Sequence, residues 1–183
     1  TFLERVSLRG ALLEWGSNST AAAAKYGRIS AWDVSAVTDM SIGQSYNCFV
    51  TSSFNEDINA WDVGQVTTMN GLFYYASSFN QPLEGWNVAK VTDMGRMFYS
   101  AYAFNQPLEA WNIGQVTNMD GMFQAAYAFN QPLGAWNVGQ VTSMGYYSGM
   151  FYLARSFKQT LNAWNVSNFT DMLDTCAYAG ALS

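Results

Sequence analysis

The chain of 183 residues contains no histidine, only three prolines and few charged side chains. The absence of histidine excludes Ser/His/Asp triads, Cys/His pairs and His-ligated zinc sites, because each of them needs an imidazole. Charged residues make up 11% of the chain and give a net charge of -5, which disfavours binding to nucleic acid or anionic lipid. No apolar run reaches the roughly 18 residues of a membrane span. These absences favour surface recognition over enzymatic activity, with no catalytic residue, cofactor or metal ion expected.

A tryptophan opens the same nine-residue phrase six times in this chain, for example WNVAKVTDM at Trp86 and WNIGQVTNM at Trp111. Successive tryptophans are 29, 25, 25, 25 and 28 residues apart. This period is typical of repeat proteins whose units cannot fold alone and stack on their neighbours. We number the six units by these tryptophans, which are Trp32, Trp61, Trp86, Trp111, Trp136 and Trp164.

The apolar pattern predicts the fold of each unit. The first stretch, L-x-x-W-x-V, alternates as a strand does, and the later stretch, M-x-x-M-F-x-x-A, has helical spacing. We therefore expect a repeat solenoid with short parallel β-strands on one side and helical or 3₁₀ turns on the opposite side. The Asn-Gln-Pro segments turn the chain back. In the unit 83–107 the predicted buried set is Leu83, Trp86, Val88, Val91, Met94, Met97, Phe98, Ala101 and Phe104.

Residues 1–28 break the period. The stripe formed by Leu8, Leu12 and Trp15 predicts a helical N-terminal cap. The six-unit solenoid then occupies residues 29–183. The sixth unit stops at Ser183 without the second half of the repeat, so we expect its last rung to be truncated, exposed or docked against a partner. The chain starts at Thr1 without a methionine, which suggests a removed leader or a missing start.

The repeat frame resembles that of a known family. The motif L-x-x-W-x-V-x-x-V-T-x-M-x-x-M-F followed by FNQPL is similar to the mycoplasma-lipoprotein-type repeat of the BspA-like leucine-rich-repeat group. The resemblance implies a right-handed leucine-rich-repeat-like solenoid, found on microbial surfaces and in unicellular algae. It implies adhesion or partner binding and no enzymatic activity. The matching positions are Trp86, Val88, Val91, Thr92, Met94 and Phe98.

An Asp or Asn follows each tryptophan, and a small residue precedes each one on the same face. These positions predict a flat polar strip that can receive a protein strand or a glycan. The alternative is a structural ladder in which stacked asparagines hydrogen-bond to one another. The strip consists of Asp33, Asp62, Asn87, Asn112, Asn137 and Asn165.

A row of threonines runs beside the strip. Regular threonines are a feature of ice-binding surfaces, which makes ice binding a minor alternative. The position after each threonine varies, however, so hydroxyls that stabilise turns are the better interpretation. The row consists of Thr38, Thr67, Thr92, Thr117, Thr142 and Thr170.

Two insertions, 41–48 and 145–149, lengthen the same part of units one and five. They carry Tyr46, Tyr146 and Tyr147, and such insertions often form the binding face of a repeat protein. A tolerated surface insertion is the alternative. The remaining tyrosines of this region predict either a contact stripe or a cover over the turns, and they are Tyr74, Tyr99, Tyr102, Tyr127 and Tyr152.

Two cysteines and three sequons complete the candidate features. Cys48 and Cys176 are five rungs or about 24 Å apart, too far for a disulfide between them, which leaves buried thiols or an intermolecular bridge. Asn18, Asn165 and Asn168 begin Asn-x-Ser/Thr sequons, which are glycosylated only on a secretory route.

The sequence thus predicts a noncatalytic protein- or glycan-binding scaffold at the cell surface or secreted. The competing hypothesis is a structural accessory subunit, permanently docked in a larger complex that is organellar or peripheral to a membrane in an alga. Occupied sequons would favour the first hypothesis, and burial of the loop tyrosines against another chain would favour the second.

Overall fold

The structure, a computed structural model, describes residues 5–41, 50–145, 149–170 and 179. Helix α1 is Arg5–Ser17, helix α2 is Ser19–Tyr26, and a 3₁₀ helix follows at Ile29–Ala31. Elsewhere in these ranges the chain forms turns and four isolated parallel β-bridges, without a strand. None of the helices in the described ranges has the length and apolarity needed to cross a membrane.

The two helices pack on the first unit through a short apolar surface. Leu8, Ala11 and Leu12 of α1 are fully buried in the same core cluster as the repeats. Asn18 separates the helices and caps α2, because its side chain accepts the N–H of Ala21 at 3.0 Å. The run of alanines that follows favours a helix.

The predicted parallel strands are wrong for the described residues. The stretch that begins at Leu83 folds into two turns, closed by N–H donation from Trp86 to the Leu83 carbonyl and from Val91 to the Val88 carbonyl. Both turns return apolar side chains to the core, so the alternation of Trp and Val does not require a strand. In place of paired strands, each two neighbouring units share a single parallel β-bridge. The bridges join Asp39 to Thr68, Thr68 to Asp93, Asp93 to Asn118 and Asn118 to Ser143.

The predicted helical turns on the opposite side are also wrong. Gly71 (φ 66°) and Tyr75 (φ 58°) adopt the left-handed conformation, which a right-handed helix cannot contain. The N–H groups of Gly71 and Phe73 donate to the carbonyls of Gly95 and Met97 in the next unit, both at 2.9 Å. The described chain is therefore a stack of turn-built units and not a leucine-rich-repeat solenoid of strands and helices. The left-handed conformation recurs at Arg96, Ser100, Gly121, Ala125 and Leu153.

Aromatic rings fill the core and stack both within and between units. Phe73 and Phe79 of one unit have ring centroids 4.0 Å apart, and Phe73 lies 5.4 Å from Phe98 of the next unit. Trp86 and Trp111 stack at 6.5 Å with planes 2° apart. The buried set predicted for unit 83–107 is confirmed, because all of its members are at most 3% exposed.

Candidate functional site

Each tryptophan binds the unit before it. The indole N–H of Trp111 donates to the Leu83 carbonyl at 3.0 Å, and that of Trp136 donates to the Leu108 carbonyl at 2.9 Å. Both rings are buried, so water cannot replace these bonds. The repeated tryptophan therefore holds the stack together and does not face a partner. Sequence reasoning placed the rings in the core but missed this hydrogen bond.

The exposed Asp or Asn after each tryptophan closes a turn within its own unit. The Oδ1 atom of Asn112 accepts the backbone N–H of Gly114 at 3.2 Å, and Asn137 binds Gly139 at 3.1 Å. Asp33, Asp62, Asn87 and Asn165 make the same bond to the residue two positions later. These six side chains are thus held by Asx turns and not by the asparagine-to-asparagine ladder that was the alternative prediction.

The Asx turn uses Oδ1 of each exposed side chain and leaves its second polar atom out of the turn. In Asn112 and Asn137 that atom is the amide nitrogen, which carries two N–H donors. Asp33 presents a carboxylate, and donation from the Ser35 hydroxyl and backbone N–H holds the pKa of that carboxyl below its usual range. The strip therefore offers donors in its central units and negative charge in its first two.

The threonine row beside the strip connects units and does not stabilise turns. The Oγ1 atom of Thr117 donates to the Thr92 carbonyl at 3.1 Å, and Thr142 donates to the Thr117 carbonyl at 3.3 Å. Each hydroxyl remains exposed and retains its lone pairs as acceptors. We call the exposed residues that lie between the tryptophan and the threonine of the three central units, with that threonine, the polar face: Asn87, Lys90, Thr92, Asn112, Gln115, Thr117, Asn137, Gln140 and Thr142.

A ladder of asparagines does exist, in the Asn-Gln-Pro segments. The Oδ1 atom of Asn80 accepts the backbone N–H of Asn105 at 2.9 Å and the amide of Gln106 at 3.0 Å. The next unit repeats both bonds one step on, from Asn130 and Gln131 to Asn105. The sequence predicts only a turn for the Asn-Gln-Pro segment. The recurrence of Asn-Gln at the same point of each unit is the sequence signal that indicates the ladder.

One carboxylate joins three consecutive units. The Oδ1 atom of Asp93 accepts from the amides of Asn70 at 3.1 Å and Asn118 at 3.0 Å, and from the backbone of Gly95 at 2.8 Å. A Cβ atom at residue 95 would lie 2.8 and 2.9 Å from the two amide nitrogens, so a side chain here would displace both amides from Asp93. Asp93 is a structural acceptor and not a catalytic candidate.

Tyrosines cover the outward positions of the turns on the side away from the tryptophans. The rings of Tyr74 and Tyr99 stack with centroids 4.8 Å apart, and those of Tyr102 and Tyr127 with centroids 4.7 Å apart. Tyr75 packs edge-on to Tyr74 at 4.7 Å. Tyr152 is half-buried in the fifth unit. We call the following group the tyrosine surface: Tyr74, Tyr75, Tyr99, Tyr102, Tyr127 and Arg155, whose guanidinium lies 4.6 Å from the Tyr127 centroid.

Several predicted residues lie outside the described residues. They are Tyr46, Tyr146 and Tyr147 of the insertions, together with Cys48 and Cys176. The predictions about them stay predictions.

The three sequon asparagines are exposed. Asn18 and Asn165 use Oδ1 for a hydrogen bond to the backbone, which leaves Nδ2, the atom that glycosylation modifies, on the outside. Asn168 instead donates from Nδ2 to the Gly139 carbonyl at 2.6 Å. Asn18 and Asn165 are therefore the more accessible acceptors.

The described part of the chain contains no group of three or more His, Cys, Asp or Glu side chains placed to hold a metal ion. A cavity of about 430 Å³ lies between α1 and α2, and its Glu14 carboxylate is bound to Lys25 at 2.9 Å. That ion pair is exposed and holds the two helices together. The polar face and the tyrosine surface therefore remain the two candidate sites for a partner.

Comparison with known proteins identifies one family. A family model described as "Mycoplasma protein of unknown function, DUF285" matches residues 16–123 and again 86–183. The two overlapping matches agree with the internal repeat. No curated protein and no solved structure matches the chain. The finer relation to BspA-like leucine-rich repeats stays a prediction.

Proposed function

The chain belongs to the family described as Mycoplasma protein of unknown function, DUF285, and on that premise we propose that it is a noncatalytic scaffold that binds a protein or a glycan through its polar face. The observation that carries the proposal is the Asx turn after each tryptophan. It fixes an exposed polar side chain in the same orientation in six consecutive units. A surface ordered before binding loses little side-chain entropy on association, which favours affinity.

The central amides define what the polar face recognises. Asn87, Asn112 and Asn137 each present an NH₂ group, so the face offers a row of donors that repeats once per unit. Partner groups that accept such bonds are the hydroxyl and ring oxygens of a glycan or the carbonyls of an extended peptide. A long, repetitive partner lying along the stack would meet the same contact several times.

The triple variant Asn87→Asp/Asn112→Asp/Asn137→Asp tests this proposal. Asp retains the Oδ1 acceptor of the Asx turn, so the fold is preserved, while every outward donor becomes a carboxylate oxygen. We expect binding to a glycan array, or to a partner identified by crosslinking, to weaken by about tenfold or more. The matched control is the same substitution at an exposed position outside the polar face, Asn162→Asp, which should bind as the unmodified chain does. Equal binding by the triple variant would contradict the role of the polar face.

A structural accessory subunit of a larger complex is the second candidate. It is favoured by the last described unit, where Val166 is 44% exposed although the equivalent Val138 is 1% exposed. Trp164 and Phe169 of the same unit are only half-buried. Size-exclusion chromatography of the native protein with mass spectrometry distinguishes the two candidates. A fixed stoichiometric complex supports the subunit, and a monomer with occupied sequons at Asn18 and Asn165 supports a scaffold at the cell surface.

A further inference from the structure

The two sides of the stack carry opposite charge. The Trp-bearing segments of units one to four contain eight carboxylates and one cation, Lys90. The turns that run from Met69, Met94, Met119 and Met150 to the phenylalanine before each Asn-Gln-Pro position contain two cations and one carboxylate. The tyrosine surface thus lies on a locally basic side of a chain whose net charge is -5. The carboxylates are Asp33, Asp39, Glu56, Asp57, Asp62, Glu84, Asp93 and Glu109, whereas the turns carry Arg96, Arg155 and Asp120.

The exposed aromatic rings on that side are already ordered. Tyr102 stacks on Tyr127 with planes 5° apart, and Arg155 covers Tyr127 from the next unit. Tyr75 and Tyr102 are nevertheless 43% and 39% exposed. Stacking covers one face of each ring of the pair, and Arg155 lies over Tyr127 as well.

This orientation decides between two kinds of partner. A sugar ring that binds to tyrosine lies flat on an open aromatic face, and stacking within the pairs Tyr74–Tyr99 and Tyr102–Tyr127, together with Arg155 over Tyr127, reduces the number of such faces. Ring edges, hydroxyls and a guanidinium match carbonyl and carboxylate oxygens, and Tyr and Arg are the residue types that dominate protein interfaces. The chemistry of the surface therefore favours a protein over a glycan.

We propose that the tyrosine surface is a second docking site, distinct from the polar face, that binds an acidic segment of a partner protein. Arg155 and its neighbours supply the complementary charge. The hydroxyls act as donors to the carboxylates of the partner.

The test uses the full chain and a phage-displayed library of random peptides of about 12 residues, long enough when extended to cross several units. We expect the selected peptides to be enriched in Asp and Glu. Synthetic copies should bind about tenfold more weakly to Arg155→Glu, because the charge that covers Tyr127 is reversed. Tyr102→Ser, at an exposed position, should also weaken binding. The matched control Arg28→Glu makes the same change at an exposed position outside both surfaces and should change affinity by less than about twofold.

Three results would overturn the proposal. The first is selection of neutral or basic peptides, and the second is unchanged affinity in both Arg155→Glu and Tyr102→Ser with folding verified by circular dichroism. The third is Arg155-dependent binding of heparin without binding of any acidic peptide, which would assign the surface to an anionic glycan. Because these variants retain Asn87, Asn112 and Asn137, a negative result for the tyrosine surface is distinguishable from a negative result for partner binding by the polar face.

Discussion

Replacing Trp111 with phenylalanine removes the hydrogen bond to the Leu83 carbonyl while it retains an aromatic ring in the core. The bond is 3.0 Å long and the tryptophan is 4% exposed, so water does not replace the lost bond, although the Leu83 carbonyl still accepts the backbone N–H of Trp86 at 3.1 Å. Loss of one such hydrogen bond costs about 0.5–1.5 kcal/mol. The smaller ring also buries roughly 40 Å² less apolar surface, worth about 1 kcal/mol. We therefore expect the free energy of unfolding to fall by about 1.5–2.5 kcal/mol.

The measurement is thermal and urea unfolding followed by circular dichroism. For a chain of this length the predicted loss corresponds to a melting temperature lower by roughly 3–10 °C. The matched control is Trp164→Phe, which removes an equivalent bond of 2.9 Å to the Leu133 carbonyl, but at a half-buried ring. Because the Trp164 ring is already partly in contact with water, its replacement removes less buried surface, and the cost should stay below about 1.5 kcal/mol. Equal losses in the two variants, or a loss below about 1 kcal/mol for Trp111→Phe, would refute the reasoning.

Three further predictions concern the backbone and the helices. Gly121→Ala should destabilise the chain by about 1 kcal/mol or more, because residue 121 has φ +57°. The control Gly10→Ala, which places a methyl group in open space on α1, should stabilise the chain by about 0.5–1 kcal/mol. Urea unfolding measures both changes. Asn18→Ala removes the cap of α2 and should cost about 1 kcal/mol and some helical circular dichroism, and Asn18→Ser should restore both. The Lys25 and Tyr26 hydrogen bonds lower the pKa of Glu14, so its stabilising contribution is present above the unfolded pKa and is lost as pH falls through the folded pKa. An NMR titration should find the Glu14 carboxyl below the ordinary value, and Lys25→Gln should raise it.

The period and the buried positions could be predicted because both depend only on which residues are apolar. Leu83, Trp86 and Val88 are buried as expected. The backbone that carries them could not be predicted, since a strand and a pair of turns both direct Trp86 and Val88 inward. The alternation of apolar and polar residues thus identifies the face of each side chain without identifying the secondary structure.

The helical spacing after each Met was misleading for a different reason. Residues in the left-handed conformation prevent a helix here. Only at Gly71 and Gly121 does the residue type itself indicate that conformation. Tyr75, Ser100 and Ala125 occupy the second left-handed position with φ of 54–58° and are residue types that rarely adopt it. Hydrogen bonds to the next unit compensate for their strain, and no local sequence pattern reveals bonds between residues about 25 positions apart.

The candidate surface was predicted in part. The strip after the tryptophans is exposed as expected, because polar residues alternate with buried ones there. Its internal bonding was misassigned, since an Asn side chain can close an Asx turn or bind a neighbouring Asn, and only the position of Gly114 and its equivalents favours the turn. The stacking of the tyrosines depends on register between units, which the sequence leaves open.

The chain carries three lysines, and each reports on a different surface: Lys25 on the helices, Lys90 on the polar face and Lys158 on the Asn-Gln ladder. A lysine-reactive crosslinker applied to the gently purified native protein, followed by mass spectrometry, therefore tests most directly whether the polar face binds a partner. We predict that Lys90 is crosslinked to a partner protein, or is protected from modification when a glycan is bound. Crosslinks confined to Lys25, with Lys90 fully reactive in the presence of the partner, would contradict the account.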